Sequence, residues 1–321
     1  MDNIEKIKLI SRISRLTSPI TSILEKTFIK RISKEEKHLH PLFIIGAPRT
    51  GSTVLYQTIT NQLDVKYISN LVDLFNDSPY FGFWLSNKLH KDLPHNCFKS
   101  NFGNTFNCGL NAPSESGGFW YRYLPKEKHF VDTDEVNQEV VNNIRNEIYS
   151  VINKYKKPIV FKNLNAGQRL RLLKEVAPNA KFIFVRRDPL YTAQSIFKAR
   201  KKLNIDENTW WSVKPRNYQE LQNLCIHEQI VKQIYYLEKQ IYNDLKLFKK
   251  ENILIVKYRD LCQSPDQIIS EARTLLGNNA KFRENALNND INFSEKQTIS
   301  EKDIQLLKNY INELDWSFEN D

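Results

Sequence analysis

No stretch of this chain reaches the roughly 18 consecutive apolar residues that a membrane-spanning helix needs, so none is expected. The first 30 residues also lack the apolar core and small-residue cleavage site of a secretory signal, which makes a cytoplasmic location the expectation. Cysteine is scarce: Cys97, Cys108, Cys225 and Cys262 form no C-x-x-C pair. Free, mostly buried thiols in a reducing compartment are the expected reading, with a Cys97–Cys108 disulfide as the alternative that nothing in the spacing requires. His90 and His95 stand five apart with no ligand set around them, so no metal centre is expected. Internal repeats and low-complexity tracts are absent too.

What remains is ample for a packed α/β protein. The 321 residues are 40% apolar and 12% aromatic, enough for one large domain with insertions or two small ones. The formal charge of +10 suits an anionic ligand, a nucleic acid or an acidic membrane surface and does not choose among them.

One segment is far more informative than the rest. Phe43-Ile-Ile-Gly-Ala-Pro-Arg-Thr-Gly-Ser-Thr53 reads as a short apolar strand, a tight loop from Gly46 to Gly51, and a helix opening at Ser52. Successive amides in such a loop and in a helix's first turn converge on one point, where the helix dipole also favours an anion. The two glycines sit five apart, as in the nucleotide P-loop, but Ser52 stands where that loop has its lysine. Arg49 supplies the loop's cation. A loop of this kind can hold a phosphate-like group yet lacks the lysine that reaches the outer phosphates of ATP.

Around this loop, apolar runs without polar alternation lie at 42–45, 158–161, 181–185 and 253–256, with a shorter extended run at 65–68. Such runs indicate strands buried on both faces of a parallel sheet. The stretches 51–62, 167–176, 190–202 and 218–249 are long enough for the crossover helices. The expected fold is α/β: a P-loop-like doubly wound parallel sheet with helices on both faces and a helical and irregular insertion, its ligand at the carboxyl ends of the strands. The domain boundary falls at residue 41. The insertion spans 71–157, with helices at 71–91 and 136–156 around an irregular stretch at 92–115. A second irregular segment, 203–217, is placed to act as a lid. Residues 1–40 form a basic helical arm, with nine lysines and arginines against five acids over residues 2–40 and Pro19 breaking the run. The arm either packs on the domain or lies, through residues 1–30, on an anionic membrane surface.

A second strand and helix, Lys181-Phe-Ile-Phe-Val-Arg-Arg-Asp-Pro189 and onward, places Arg187 at a strand end and Ser195 two turns into the helix that Asp188-Pro189 begins. Together the two anchors resemble the sulfotransferases that use 3′-phosphoadenosine 5′-phosphosulfate (PAPS), in particular their bacterial, carbohydrate/tyrosylprotein-like branch. Gly46–Thr53 resembles the 5′-phosphosulfate loop, and Val185-Arg-Arg-Asp-Pro189 with Ser195 resembles the 3′-phosphate motif. Ile253-Leu-Ile-Val-Lys-Tyr-Arg-Asp-Leu261 with Pro265 is similar to a third strand motif of the family.

That resemblance implies transfer of a sulfuryl group from PAPS, without a metal, to a hydroxyl or amine of an acceptor. Arg49, Thr50, Gly51, Ser52 and Thr53 would hold the 5′-phosphate, and Arg187 and Ser195 the 3′-phosphate. Lys162 resembles the family's strand-end lysine, which neutralises the leaving oxygen. The family's glutamate base falls near Ser69-Asn70-Leu71, and Asn70 cannot take a proton. Glu115 is the substitute from the residues themselves, if burial raises it towards neutrality, with Asp73 and His95 in reserve; otherwise it caps the helix beginning near Gly117. Phe119, Trp120, Tyr121, Arg122, Trp210, Trp211, Lys214 and Arg216 are candidates for an acceptor groove suited to a glycan or a lipid-linked sugar. Rival readings are a nucleotide or small-molecule kinase, a donor-binding homologue without turnover, and a nucleic-acid-binding protein. Nucleic acid is not expected as a partner, because no binding motif accompanies the charge.

Overall fold

The computed structural model describes residues 3–32, 39–206, 209–277, 280–286 and 295–319. Positions 207 and 208 of the segment at 203–217, and positions 1, 2 and 33–38 of the arm, lie outside the described residues. In chain order the first half comprises α1 (Asn3–Ile32), β1 (Leu42–Ile45), α2 (Ser52–Gln62), β2 (Lys66–Tyr67), α3 (Asn70–Leu74), α4 (Pro79–His90), α5 (Gly117–Tyr121) and α6 (Gln138–Tyr155). There follow β3 (Ile159–Lys162), α7 (Leu170–Val176), β4 (Lys181–Arg186), α8 (Pro189–Lys202), α9 (Tyr218–Leu221) and α10 (Ile226–Leu245). The chain then forms β5 (Ile253–Lys257), α11 (Tyr258–Gln263), α12 (Pro265–Leu276) and α13 (Glu301–Asn312).

All five strands are parallel, in the order β2-β3-β1-β4-β5. Every β1 residue is fully buried, and its alternating side chains serve two cores. Phe43 and Ile45 face a layer that includes Ile148 and Val151 of α6, with Phe43 stacked on Phe161 and Phe182 at centroid distances of 5.2 and 5.7 Å. Leu42 and Ile44 face Leu55 and Ile59 of α2 and Ile269 of α12. This is a doubly wound sheet with helices on both faces. After β1 the chain moves to one side of that strand, and after β3 it crosses to the other. The crevice between the carboxyl ends of β1 and β4 is therefore the switch point where such folds bind ligands.

Local chemistry explains the helix starts. Asp188 accepts from the amides of Leu190 (2.9 Å) and Tyr191 (3.4 Å) while Pro189 takes the first position of α8. Ser69 caps α3 through Val72 N–H, and Pro79 opens α4, which splits the single helix expected over 71–91 into two. Two other expectations change. β5 is an edge strand with Ile255 48% exposed, because an apolar run cannot say which strand ends the sheet. Pro19 lies inside α1 and does not break it; packing along α3, α4 and α6 outweighs the lost amide.

α1 is fastened by polar contacts: Ser18 Oγ donates to Asp77 (3.0 Å), the hydroxyls of Thr21 and Ser78 meet at 3.0 Å, and Phe81 N–H donates to Glu25 (2.8 Å). Burial pushes the Glu25 carboxyl up to about 8, against the pull of the Phe81 and Tyr80 amides. A carboxyl raised in the folded state favours that state fully below its ordinary value and loses the advantage as pH rises through 8. Protection of α1 amides against hydrogen exchange, corrected for intrinsic rates, should therefore fall relative to α6 between about pH 6 and about pH 8.5. Glu25→Gln should flatten that dependence, and an unchanged slope in the variant would show that another group controls it.

Candidate functional site

The loop after β1 is built by close approaches. Gly46 has φ 153°, and a Cβ there would collide with the Val185 carbonyl of β4; Gly51 has φ 93°, and its Cβ would enter the Tyr258 ring. Thr50 is fully buried and its hydroxyl donates to Ala47 O at 2.9 Å, bracing the loop from inside. Arg49 has φ 70°, a left-handed conformation that costs a non-glycine residue about 1–2 kcal/mol. No side chain caps α2, whose first backbone bond runs from Leu55 N–H to Gly51 O. The amides of Ser52, Thr53 and Val54 precede that bond, and all three residues line the cleft beside the loop.

The second anchor closes on the first. Arg49 Nε donates to Ser195 Oγ at 3.1 Å, joining residues 146 positions apart in the chain. Of the two adjacent arginines at the end of β4, Arg186 is paired with the fully buried Glu238 (Nη2 to Oε2, 2.8 Å), whereas Arg187 lines the cleft with its guanidinium 4.6 Å from the centre of the Tyr258 ring. Burial, and after it the charge of Arg187, lowers the Arg49 guanidinium from its ordinary value. Burial likewise pushes the Tyr258 hydroxyl up to about 12. Two cations whose charges oppose one another make a site that an anion beside them would relieve.

Lys162, the last residue of β3, has a side chain only 2% exposed and is ion-paired with Glu115 Oε1. Thr53 Oγ1 lies 3.5 Å from the same oxygen, and Asn163 Nδ2 donates to the Glu115 carbonyl at 3.0 Å. Ser116, not Glu115, occupies the N-cap position of α5. Gly103 passes so close to the carboxylate that a Cβ there would overlap it. The cleft has a volume of about 270 Å³.

Of the residues expected from the sequence, Arg49, Gly51, Ser52, Thr53, Glu115, Lys162, Arg187 and Ser195 line this one cleft, while the Thr50 side chain faces away from it. The reserve residues lie elsewhere. Asp73 accepts from Ser114 Oγ (2.9 Å) and is raised by burial; His95 is 2% exposed, bonded to Thr60 Oγ1 (2.9 Å) and lowered by burial to about 4. Asn70 is locked by donating to the carbonyls of Thr105 and Gly109.

The expected aromatic and basic groove does not assemble. Phe119 and Trp120 are core residues, Tyr121 bonds Asn165, and Arg122 grips Glu147 with both terminal nitrogens. Trp210, Lys214 and Arg216 pack on Tyr218, Glu127 and Asp132. Of the eight only Trp211 reaches the cleft, where it meets Phe102 edge to face at 6.3 Å.

Tyr258, Phe102, Gly103, Ser100 and Ser212 also line the cleft without having been expected as site residues. The signals were there: Tyr258 lies in the third strand motif, and Phe102 and Gly103 lie in the irregular stretch judged too long to be idle. The expected free thiols are corrected at one pair. Cys97 and Cys108 form a disulfide across that same stretch, while Cys225 and Cys262 are unbridged, so cysteine content no longer argues for a reducing compartment. Among the described residues no three His, Cys, Asp or Glu side chains converge as a metal site, and no helix is long and apolar enough to cross a membrane.

Residues 41–279 match the model of the family described as the sulfotransferase family. The solved structure of sulfotransferase STF1 from Mycobacterium tuberculosis superposes with a TM-score of 0.50 at 13% identity, covering 95% of this chain and 84% of that one. Sulfotransferase STF9 from Mycobacterium avium gives 0.44 at 12% identity, over 87% of this chain and 69% of that one. No curated protein matches by sequence. The arrangement of the loop makes Gly51→Ala a sharp probe. The added methyl meets the Tyr258 ring in a left-handed backbone, so the variant should lose about 1–3 kcal/mol of stability by denaturant unfolding and most of its affinity for pyrophosphate. Unchanged binding would show that the loop does not form the anion site.

Proposed function

This chain belongs to the sulfotransferase family, and from that premise we propose that it moves a sulfuryl group from PAPS to a hydroxyl or amine of an acceptor. The observation that carries the reading is the convergence of Arg49, Arg187, Ser195 and the Lys162–Glu115 pair on one cleft at the sheet's switch point. The loop amides and Arg49 suit a 5′-phosphate, and Arg187 with Ser195 suits a 3′-phosphate; two anchors on one cleft fit a donor that carries two anionic groups. PAPS, when bound, supplies the sulfuryl group and departs as adenosine 3′,5′-bisphosphate. Lys162 is placed to neutralise charge growing on the oxygen that leaves with the phosphate. Glu115 accepts the proton that the acceptor's hydroxyl or amine gives up as its bond to sulfur forms. The P-loop kinase alternative is disfavoured because Ser52 occupies the position of the phosphate-reaching lysine.

A second reading is favoured by a specific contact. Because Glu115 already holds Lys162, a role in positioning the lysine is the rival to its role as base. Glu115→Gln separates the two. A base predicts a fall in kcat of about a hundredfold or more, loss of the acidic limb of the pH profile, and unchanged donor affinity. A positioning role predicts weaker donor binding with the pH profile kept.

Donor class is tested by calorimetry with adenosine 3′,5′-bisphosphate and with ATP, both without magnesium. The bisphosphate should bind tightly and ATP weakly. Arg187→Ala should weaken the bisphosphate by roughly 10- to 100-fold, the worth of hydrogen bonds to a charged group. Preference for ATP would overturn the assignment. The acceptor class, a glycan or glycolipid among the candidates, now rests on Phe102 and Trp211, the aromatic pair at the cleft.

A further inference from the structure

α1 is amphipathic in the reverse of the usual sense. A helix resting on a soluble domain normally turns its apolar stripe inward. Here the buried side carries Ser14, whose hydroxyl bonds back to Ser11 O within the helix, and Glu25, bonded to the domain as Ser18 and Thr21 are, with only Ile7 and Ile29 as buried apolar residues. The outward side carries Leu9, Ile13, Leu16, Ile20, Ile23 and Leu24, between 46% and 81% exposed. With about 3.6 residues per turn these six fall on one arc, and at about 1.5 Å per residue the stripe is about 22 Å long. An exposed apolar surface of that extent marks a binding face.

Charge identifies the occupant. Lys6 borders the stripe on one side, and Lys8, Arg12 and Lys26 border it on the other; all four are exposed. Between residues 6 and 29 the only acidic residue is Glu25, which is buried against the domain. A second copy docked stripe to stripe would bring these cations against their own equivalents, a like-charge arrangement that opposes pairing. A bilayer with anionic headgroups accepts both features at once: the stripe sinks among the acyl chains while the lysines and arginine meet the headgroups. We infer that α1 is a peripheral membrane anchor that lies flat on an anionic lipid surface, held by its outward apolar stripe.

The test uses the full chain and lipid vesicles in co-sedimentation. Binding to phosphatidylcholine vesicles containing phosphatidylglycerol should exceed binding to pure phosphatidylcholine by about tenfold or more, and should weaken as salt is raised. The double substitution Leu16→Glu and Ile20→Glu should abolish vesicle binding while leaving adenosine 3′,5′-bisphosphate affinity and thermal unfolding unchanged. Because bisphosphate binding is read separately, failure here and failure of the sulfotransferase reading are distinguishable. Vesicle binding that survives the substitutions overturns the inference. So does a concentration-dependent dimer in sedimentation velocity that the same substitutions dissolve, which would assign the stripe to a second copy of the chain.

Discussion

Everything at the cleft depends on the pairing of β1 with β4. Leu42 to Ile45 run in parallel register with Lys181 to Phe184, so both strands end at the same level and hand their following loops to one crevice. Gly46 makes that junction tight enough to matter, since any side chain there would displace the Val185 backbone. The two arginines that follow these strands, Arg49 and Arg187, thereby come close enough that the charge of one lowers the other. Packing of Phe43 between Phe161 and Phe182 supplies much of the rigidity behind them. Charge repulsion at the edge of the sheet is thus held in place by apolar burial in its middle.

A second dependence runs through Lys162. An ammonium that is almost wholly removed from water needs a partner, and the partner comes from the insertion, not from the sheet. Glu115 reaches it because Gly103 leaves room and because Asn163 holds the Glu115 carbonyl. The disulfide between Cys97 and Cys108 closes the stretch that carries Ser100, Phe102 and Gly103 along the cleft. One wall of the site is therefore a loop stapled to itself and fastened to the sheet by an ion pair.

Much of this was readable from residue order. The glycine spacing at Gly46 and Gly51 and the Arg187–Ser195 interval are local patterns, and local patterns survive translation into three dimensions. The four longer apolar runs became strands for the same reason, although only packing decided that β5 would lie at the edge. The aromatic groove failed because composition cannot tell a tryptophan in the core, such as Trp120, from one at a surface, such as Trp211. Tyr258 and Phe102 lie in stretches the sequence already singled out, but that these side chains line the cleft is decided by the tertiary approach of distant segments. α1 was legible as a helix, but which side faces the domain is set by the hydroxyls of Thr21 and Ser78 and by Glu25.

The backbone at Arg49 has a consequence for how this sequence can change. The residue sits in a left-handed conformation that glycine would adopt without strain, and its guanidinium is close enough to Arg187 to be lowered by that charge. Both terms oppose folding. Replacing Arg49 with glycine would relax the loop and remove the repulsion at once. On the backbone and the charge repulsion alone, stability favours glycine over arginine at this position.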